Sequence, residues 1–314
     1  MKKFPILASV AAALGLASSA LAGTVSFKAD KKTVQPLECP PDALTIIHAQ
    51  SDYVFQSDLK RGHGEQDALH NSIELGERLP LEGFLGNWPN AECGHWFLRL
   101  GAAYERFDFD NERESRLPDT LQKIAGVVAL EYLVKGETGI FLETRPGVYF
   151  QHDINSGTFD APTTLAAAIP VFGGDRFYLI LGAAGSLLWN PHVIPVVGAL
   201  WHINDQWDLR AYLPEPRLTY KVSDKLHLYA GGELVGGAFK TDRRNVPADT
   251  NLSGAVVTYT DIRAGGGITY ECKPFSVDLG AGESLQREFD YHRAHERFRT
   301  EPSPFVKLTV KAEF

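Results

Sequence analysis

Apolar and polar residues alternate with a period of two along most of this chain, and this pattern constrains the fold more than any other feature. The last segment shows it plainly, because Val306, Leu308 and Val310 share one face while Lys307 and Lys311 share the other. Successive side chains of a β-strand point to opposite faces, whereas a helix repeats every 3.6 residues. Helical periodicity is scarce after the first residues. We therefore predict an all-β protein.

The alternating segments are long and closely spaced. Soluble strands average about five or six residues, whereas a tilted strand needs about 9 to 11 residues to cross a bilayer. Very short connections, such as Gly136-Glu137, favour antiparallel strands that follow chain order. The sequence thus predicts an antiparallel up-and-down transmembrane β-barrel. The candidate strands are 43–57, 67–80, 95–108, 119–135, 138–152, 160–171, 176–188, 192–203, 206–222, 225–240, 254–271, 274–288 and 304–314.

The number of strands depends on which candidate comes first. Bacterial single-chain barrels have even strand numbers, so we predict about 12 strands and exclude one of the two doubtful candidates. The preferred barrel is 67–314, with 23–66 as a periplasmic or lumen-inserted N-terminal segment. The alternative takes 43–57 as the first strand and 58–94 as one outer loop.

Two further sequence features indicate where the regular strand pattern is interrupted. Pro214 and Pro216 cannot donate ladder hydrogen bonds, so we expect a bulge or kink within the strand 206–222. Long polar loops are expected at 82–94, 241–253 and 289–303.

The first 22 residues have the pattern of a signal peptide. Lys2 and Lys3 precede an apolar run, and Ala20 and Ala22 provide the small residues of a cleavage site. We predict Sec-type export, cleavage near Ala22 and an outer-membrane location in a Gram-negative-type envelope.

The charge and hydropathy of the chain exclude two other classes. The formal net charge is −8 at pH 7, and cleavage of the signal would remove two further lysines, so nucleic acid is not expected as a partner. After residue 22 there is no apolar run of about 18 residues, which excludes a helical membrane protein. The expected partners are outer-membrane lipid and small polar solutes, and no protein partner can be named.

Charged residues on the alternating strands are expected to face the barrel interior. A Lys or Arg on the lipid face at mid-depth costs about 2 to 4 kcal/mol. The interior would then be either a polar pathway or binding cavity for small hydrophilic solutes, or a salt-bridged filling. The predicted lumen-lining residues are Arg99, Glu105, Lys123, Glu131, Glu143, Arg145, Glu233, Asp261, Arg263, Lys307 and Lys311.

From these patterns we expect a passive channel or binding barrel for small polar solutes. The alternatives are a closed barrel acting through its long loops and an outer-membrane hydrolase. Catalysis is not expected, because no G-x-S-x-G motif is present. The residues considered for a triad with a serine are His202, His227, Asp208 and Asp261.

No cofactor or metal site is predicted. His292 and His295 are three residues apart, but they lack a further ligand at a known spacing. Export places the three cysteines in an oxidising compartment. We expect a disulfide between Cys39 and Cys272, unless the N-terminal segment threads the lumen and brings Cys39 to Cys93.

Several segments resemble a family of uncharacterised outer-membrane β-barrel proteins of Gram-negative bacteria. The resemblance covers about 67–314 and implies the same fold and location, without an activity that can be transferred to particular residues. It is carried by 194–198, Trp201, Trp207, 213–220, 223–225, 228–233, 117–121 and the closing strand.

Overall fold

The computed structural model describes residues 44–60, 64–81, 94–111, 116–134, 137–171, 176–243 and 252–314. Within these ranges the chain is almost entirely antiparallel β-structure, with short 3₁₀ helices at Ser156–Thr158 and His292–Ala294. The strands are β1 (Leu44–Asp58), β2 (Glu65–Pro80), β3 (Gly94–Asn111), β4 (Thr120–Val134), β5 (Glu137–Thr144), β6 (Gly147–Phe150), β7 (Phe159–Asp160), β8 (Thr163–Pro170), β9 (Phe177–Gly185), β10 (Val193–His202), β11 (Trp207–Ala211), β12 (Arg217–Lys221), β13 (Leu226–Lys240), β14 (Val256–Cys272), β15 (Phe275–Tyr291), β16 (Glu296–Arg299) and β17 (Ser303–Glu313).

These strands form one closed barrel. Each pairs with its neighbours in chain order, and β1 pairs with β17 to complete the ring. The pairs β5 and β6, β7 and β8, and β16 and β17 are each one strand with an interruption, so the barrel has 14 strands. Thr45 and Phe314 exchange two backbone hydrogen bonds of 3.0 Å. We call this end of the barrel the terminal end and the opposite end the far end.

The prediction of about 12 strands was wrong in count. Both doubtful candidates are strands, with β1 preceding β2 in the ring. The single strand predicted at 206–222 is instead the hairpin of β11 and β12, with Pro214 and Pro216 in the turn. The turn was missed because the apolar pattern continues across it. Two prolines that cannot donate backbone hydrogen bonds fit a turn better than a paired strand.

The outward face of the barrel is apolar. Leu75, Leu165 and Leu279 are about half exposed, although the strands that carry them are fully paired. In the last strand Val306 and Leu308 are exposed, as the alternation predicted. An apolar outer surface of this kind is the opposite of a soluble barrel with polar residues outside.

The barrel narrows near the far end, where β6 and β13 pair directly; we call this contact the pinch. Phe150 at the end of β6 pairs with Lys240 at the end of β13, and the Gln151 amide donates to the Lys240 carbonyl at 3.1 Å. This contact closes a narrower ring of β13, β14, β15, β17, β1, β2, β3, β4 and β6. Strands β8 to β10 lie outside that ring, and we call them the outer lobe.

An apolar cluster joins the outer lobe to the narrower ring. Ile180, Ile194 and Leu200 of β9 and β10 belong to the same buried cluster as Ala238 of β13 and Trp189. Because successive strand residues face opposite sides, both faces of the far half of β13 are covered. The lobe is therefore packed against the ring through this cluster.

Several of the sequence-based expectations concern residues outside the described ranges. The signal peptide 1–22, the segment 23–43 and most of the 82–94 and 241–253 loops lie outside them. The long loop expected at 289–303 is instead a hairpin, because β15 continues to Tyr291 and β16 begins at Glu296. In the part of the chain that is described, no helix is long and apolar enough to span a membrane.

Candidate functional site

A cavity of about 160 Å³ lies in the lumen and is lined largely by charged side chains. We call it the lumen cavity. Strands β1 to β4, β12, β13, β15 and β17 all contribute lining residues, so strands from several sides of the barrel wall surround it. Its lining includes His48, Glu74, Arg210, Glu215 and Lys311.

One side of the lumen holds a buried network centred on Arg99 of β3. Its guanidinium donates to Glu74 of β2 at 3.1 Å, lies 3.3 Å from Glu131 of β4, and also contacts Glu143 of β5. Arg145 lies beside it and donates to Glu143 at 2.7 Å and to Glu74 at 2.8 Å. Buried charges need such partners, and here four strands are joined by them.

A second network centres on His70 and Asp52 of the first two strands. His70 lies between Asp52, at 2.7 Å, and Glu105, at 2.9 Å. Lys123 contacts the other oxygen of Glu105. Arg263 of β14 reaches Asp52 at 2.6 Å and Asp261 at 2.7 Å, and Ser284 donates to Asp261 at 2.6 Å.

The third network lies nearer the terminal end. Arg217 of β12 donates to Asp278 of β15 at 2.5 Å, and its guanidinium stacks 3.3 Å above the ring of Tyr229. Lys307 donates to Glu233 at 3.1 Å. Glu215 lies 3.6 Å from Arg217 and 3.7 Å from Lys307.

Buried aromatic rings fill the far half of the narrower ring. Phe107 of β3 meets Tyr259 of β14 at 5.1 Å and Phe239 of β13 at 6.0 Å, and Phe109 meets Phe289 of β15 at 5.0 Å. Strand β3 is not a sheet neighbour of β13, β14 or β15, so these contacts cross the lumen. We call this buried cluster the aromatic layer. Its other members are Val54, Ala68, Leu117, Leu121, Tyr149, Val235, Leu252, Val257, Tyr291 and Phe305.

The rim at the far end carries a smaller polar contact. His152 Nδ1 lies 2.8 Å from Asp242, and the Asp153 amide donates to the same carboxylate at 3.0 Å. Burial raises the pKa of Asp242, but these hydrogen bonds lower it by more, so its pKa lies below the ordinary value. The contact reinforces the pinch between β6 and β13.

The structure brings most of the charged residues singled out from the sequence into the three networks. Lys311 is the exception: it is partly buried, and its side chain has no hydrogen bond or ion pair within the described residues. Sequence reasoning missed Asp52, His70 and Glu74, because it doubted the two strands that carry them. It also missed the networks' remaining charged members, which are Arg217, Glu215 and Asp278.

The residues considered for catalysis and metal binding are dispersed. His202 and Asp208 are 3.0 Å apart at the terminal end, whereas Asp261 is engaged by Arg263 and Ser284. The rings of His292 and His295 are 6.3 Å apart. No group of three or more His, Cys, Asp or Glu arranged to hold a metal occurs in the described ranges.

The expected disulfide cannot be placed. Cys272, at the end of β14, is exposed and unpaired among the described residues. Cys39 and Cys93 lie outside those residues.

Solved structures with a partly similar chain trace include channels and an autotransporter transport unit. The COG4313 outer membrane channel from Pseudomonas putida F1 has 10% identity, covers 90% of this chain and 100% of its own, and gives a TM-score of 0.47. A deltaS2 mutant of the monoaromatic hydrocarbon channel TodX has 10% identity, covers 88% and 91%, and gives 0.44. The transport unit of the autotransporter AIDA-I from Escherichia coli has 12% identity, covers 96% and 99%, and gives 0.35.

No curated protein matches the sequence. A family model described as a domain of unknown function, DUF6268, matches residues 44–312. This match confirms the resemblance to an uncharacterised barrel family, and it extends through β1, which the preferred sequence interpretation had left out of the barrel. The chain therefore belongs to the DUF6268 family.

Proposed function

We propose that this protein is an outer-membrane β-barrel that binds small polar solutes in its lumen cavity. The observation that carries the proposal is a charge-lined cavity of about 160 Å³ on the terminal side of the aromatic layer. An apolar cavity of about 150 Å³ holds benzene, so this volume suits a solute of comparable size. Because the aromatic layer crosses the lumen, a binding barrel is favoured over a permanently open channel.

The length of the strands and the exposed aromatic residues support the proposal that lipid surrounds the barrel. Strands β3 and β14 have 18 and 17 residues, more than the roughly 9 to 11 needed to cross a bilayer. Trp201, Trp207 and Phe314 are exposed near the terminal end, where aromatic residues typically mark a membrane interface. With both chain ends on the periplasmic side, solutes would reach the cavity from the periplasm.

Calorimetry on the refolded full-length chain in micelles tests the binding directly. The panel is succinate, inorganic phosphate, glycerol and choline. At least one solute should bind, and Thr309→Trp should abolish the heat signal because Thr309 lines the cavity. Leu308→Trp places the same ring on the exposed face and should bind like wild type.

Two results would count against the proposal. One is the absence of binding by every member of the panel. The other is equal binding by Thr309→Trp when its heat-modifiable migration shows an intact barrel, since the ring would then occupy the proposed site without effect.

A second candidate function is a closed barrel that acts through its far-end connections. The packing of Leu117 and Leu252, which lie in those connections, into the aromatic layer favours it. A chain that binds no solute and stays silent in bilayers would fit this candidate instead.

A further inference from the structure

We propose that the lumen cavity selects small oxyanions, carboxylates or phosphates, and that Lys311 and His48 hold them. This inference rests on the proposed solute-binding function and names the chemical class of the solute.

The charge balance of the cavity lining is the first support. Five carboxylates line it, those of Glu74, Glu105, Glu215, Glu233 and Asp278, and each has an Arg or Lys nitrogen within 4.0 Å. Lys311 lines the same cavity and has no carboxylate within that distance in the described ranges. An anion in the cavity would give this partly buried positive charge a partner, and buried charges are stable when they are paired or solvated.

The position of His48 is the second support. It lies directly opposite Lys311 in the pairing of β1 with β17, and both side chains line the cavity. His48 is buried, and among the described residues neither of its ring nitrogens has a hydrogen-bond partner. A neutral imidazole donates one N–H, so the pair can offer an ammonium and a ring donor to one oxyanion.

Arg210 adds a second cation to the lining. It pairs in register with Arg217 across β11 and β12, on the face that lines the cavity. Arg217 is already paired with Asp278 and Glu215, and the second carboxylate of a bound dicarboxylate could reach Arg210 from the cavity.

Calorimetry with matched variants tests the assignment on the full-length chain. Succinate and phosphate should bind to wild type, and choline and glycerol should not; the stronger of the two anions identifies the preferred group. Lys311→Gln should weaken anion binding about tenfold or more, equivalent to at least 1.4 kcal/mol. Lys311→Arg should retain binding, and Lys225→Gln, on an exposed turn, should not change it.

Each contrary outcome is distinct. Binding of choline or glycerol without the anions would overturn the anion assignment and leave the solute-binding barrel standing. Anion binding unchanged in a folded Lys311→Gln chain would overturn the site, whereas silence from all four solutes would overturn both proposals. If Lys311→Gln does not fold, His48→Phe, which removes both ring nitrogens, must lower anion affinity for the assignment to hold.

Discussion

Single buried side chains hold neighbouring strands of this barrel together through charge. Arg99 contacts carboxylates from three other strands, and its side chain is 3% exposed. Within the barrel these carboxylates have little access to water. Removing one partner of a buried ionic network is costly because it leaves an uncompensated charge.

Replacing Arg99 with methionine should therefore lower the free energy of unfolding by about 3 to 5 kcal/mol. Glu74, Glu131 and Glu143 would each lose a cation, while Arg145 would remain beside Glu74 and Glu143. Urea unfolding in micelles, followed by tryptophan fluorescence, measures the change. The control is Arg293→Met at the exposed far end, and equal midpoints for the two variants would show that the network does not stabilise the fold.

The sequence predicted charged side chains of the interior but not their partners. Alternation places Arg99 and Arg263 on a polar face, because the face of a strand residue depends only on its position along its own strand. Some of the acids that bind them, such as Asp52 and Glu74, come from other strands, although Asp261 lies only two residues from Arg263. Nor does alternation distinguish a paired cation from Lys311, since pairing depends on how side chains meet across the lumen.

At the scale of elements, the hairpin of β11 and β12 is the main departure from a regular barrel. Its two strands have five residues each, and the turn brings Tyr212 against Gly198 of β10. A Cβ on Gly198 would lie 2.3 Å from the Tyr212 Cβ and 2.9 Å from the Ala211 carbonyl oxygen. This glycine is required by close approach of two backbones.

Gly198→Ala should consequently destabilise the barrel by about 1 to 3 kcal/mol, the usual cost of overpacking. Gly126→Ala is the matched control, because a Cβ there meets nothing closer than 3.8 Å. Heat-modifiable migration on gels and urea midpoints report the difference. Equal stability of the two variants would mean that the hairpin does not pack against β10 as described.

Strand lengths and faces were predictable, whereas this hairpin was not. The apolar and polar positions of β14 and β17 follow directly from the alternation, and their long ladders match it. Residues 206–222 carry the same alternation on both arms of a tight turn, so the pattern alone resembles one continuous strand. Pro214 and Pro216 were the available signal and were interpreted as a bend.

The whole molecule is a barrel whose interior differs along its axis. Toward the terminal end the lumen cavity is lined by charged groups, most of them paired. Toward the far end the aromatic layer is buried like the core of a soluble protein, with Phe107 and Tyr259 almost inaccessible to solvent. The pinch between β6 and β13 reduces the number of strands around the aromatic layer, so the lumen is narrower there.

Single-channel conductance in planar bilayers tests this arrangement most directly, using wild type beside the double variant Phe107→Ala, Phe239→Ala. Phe55→Ala with Phe275→Ala, which changes two exposed rings, is the control. We expect no steady open steps from wild type or the control and clear steps from the double variant, because removing two rings opens the aromatic layer. Steady steps of equal size from all three would contradict a closed lumen and make the protein an open channel.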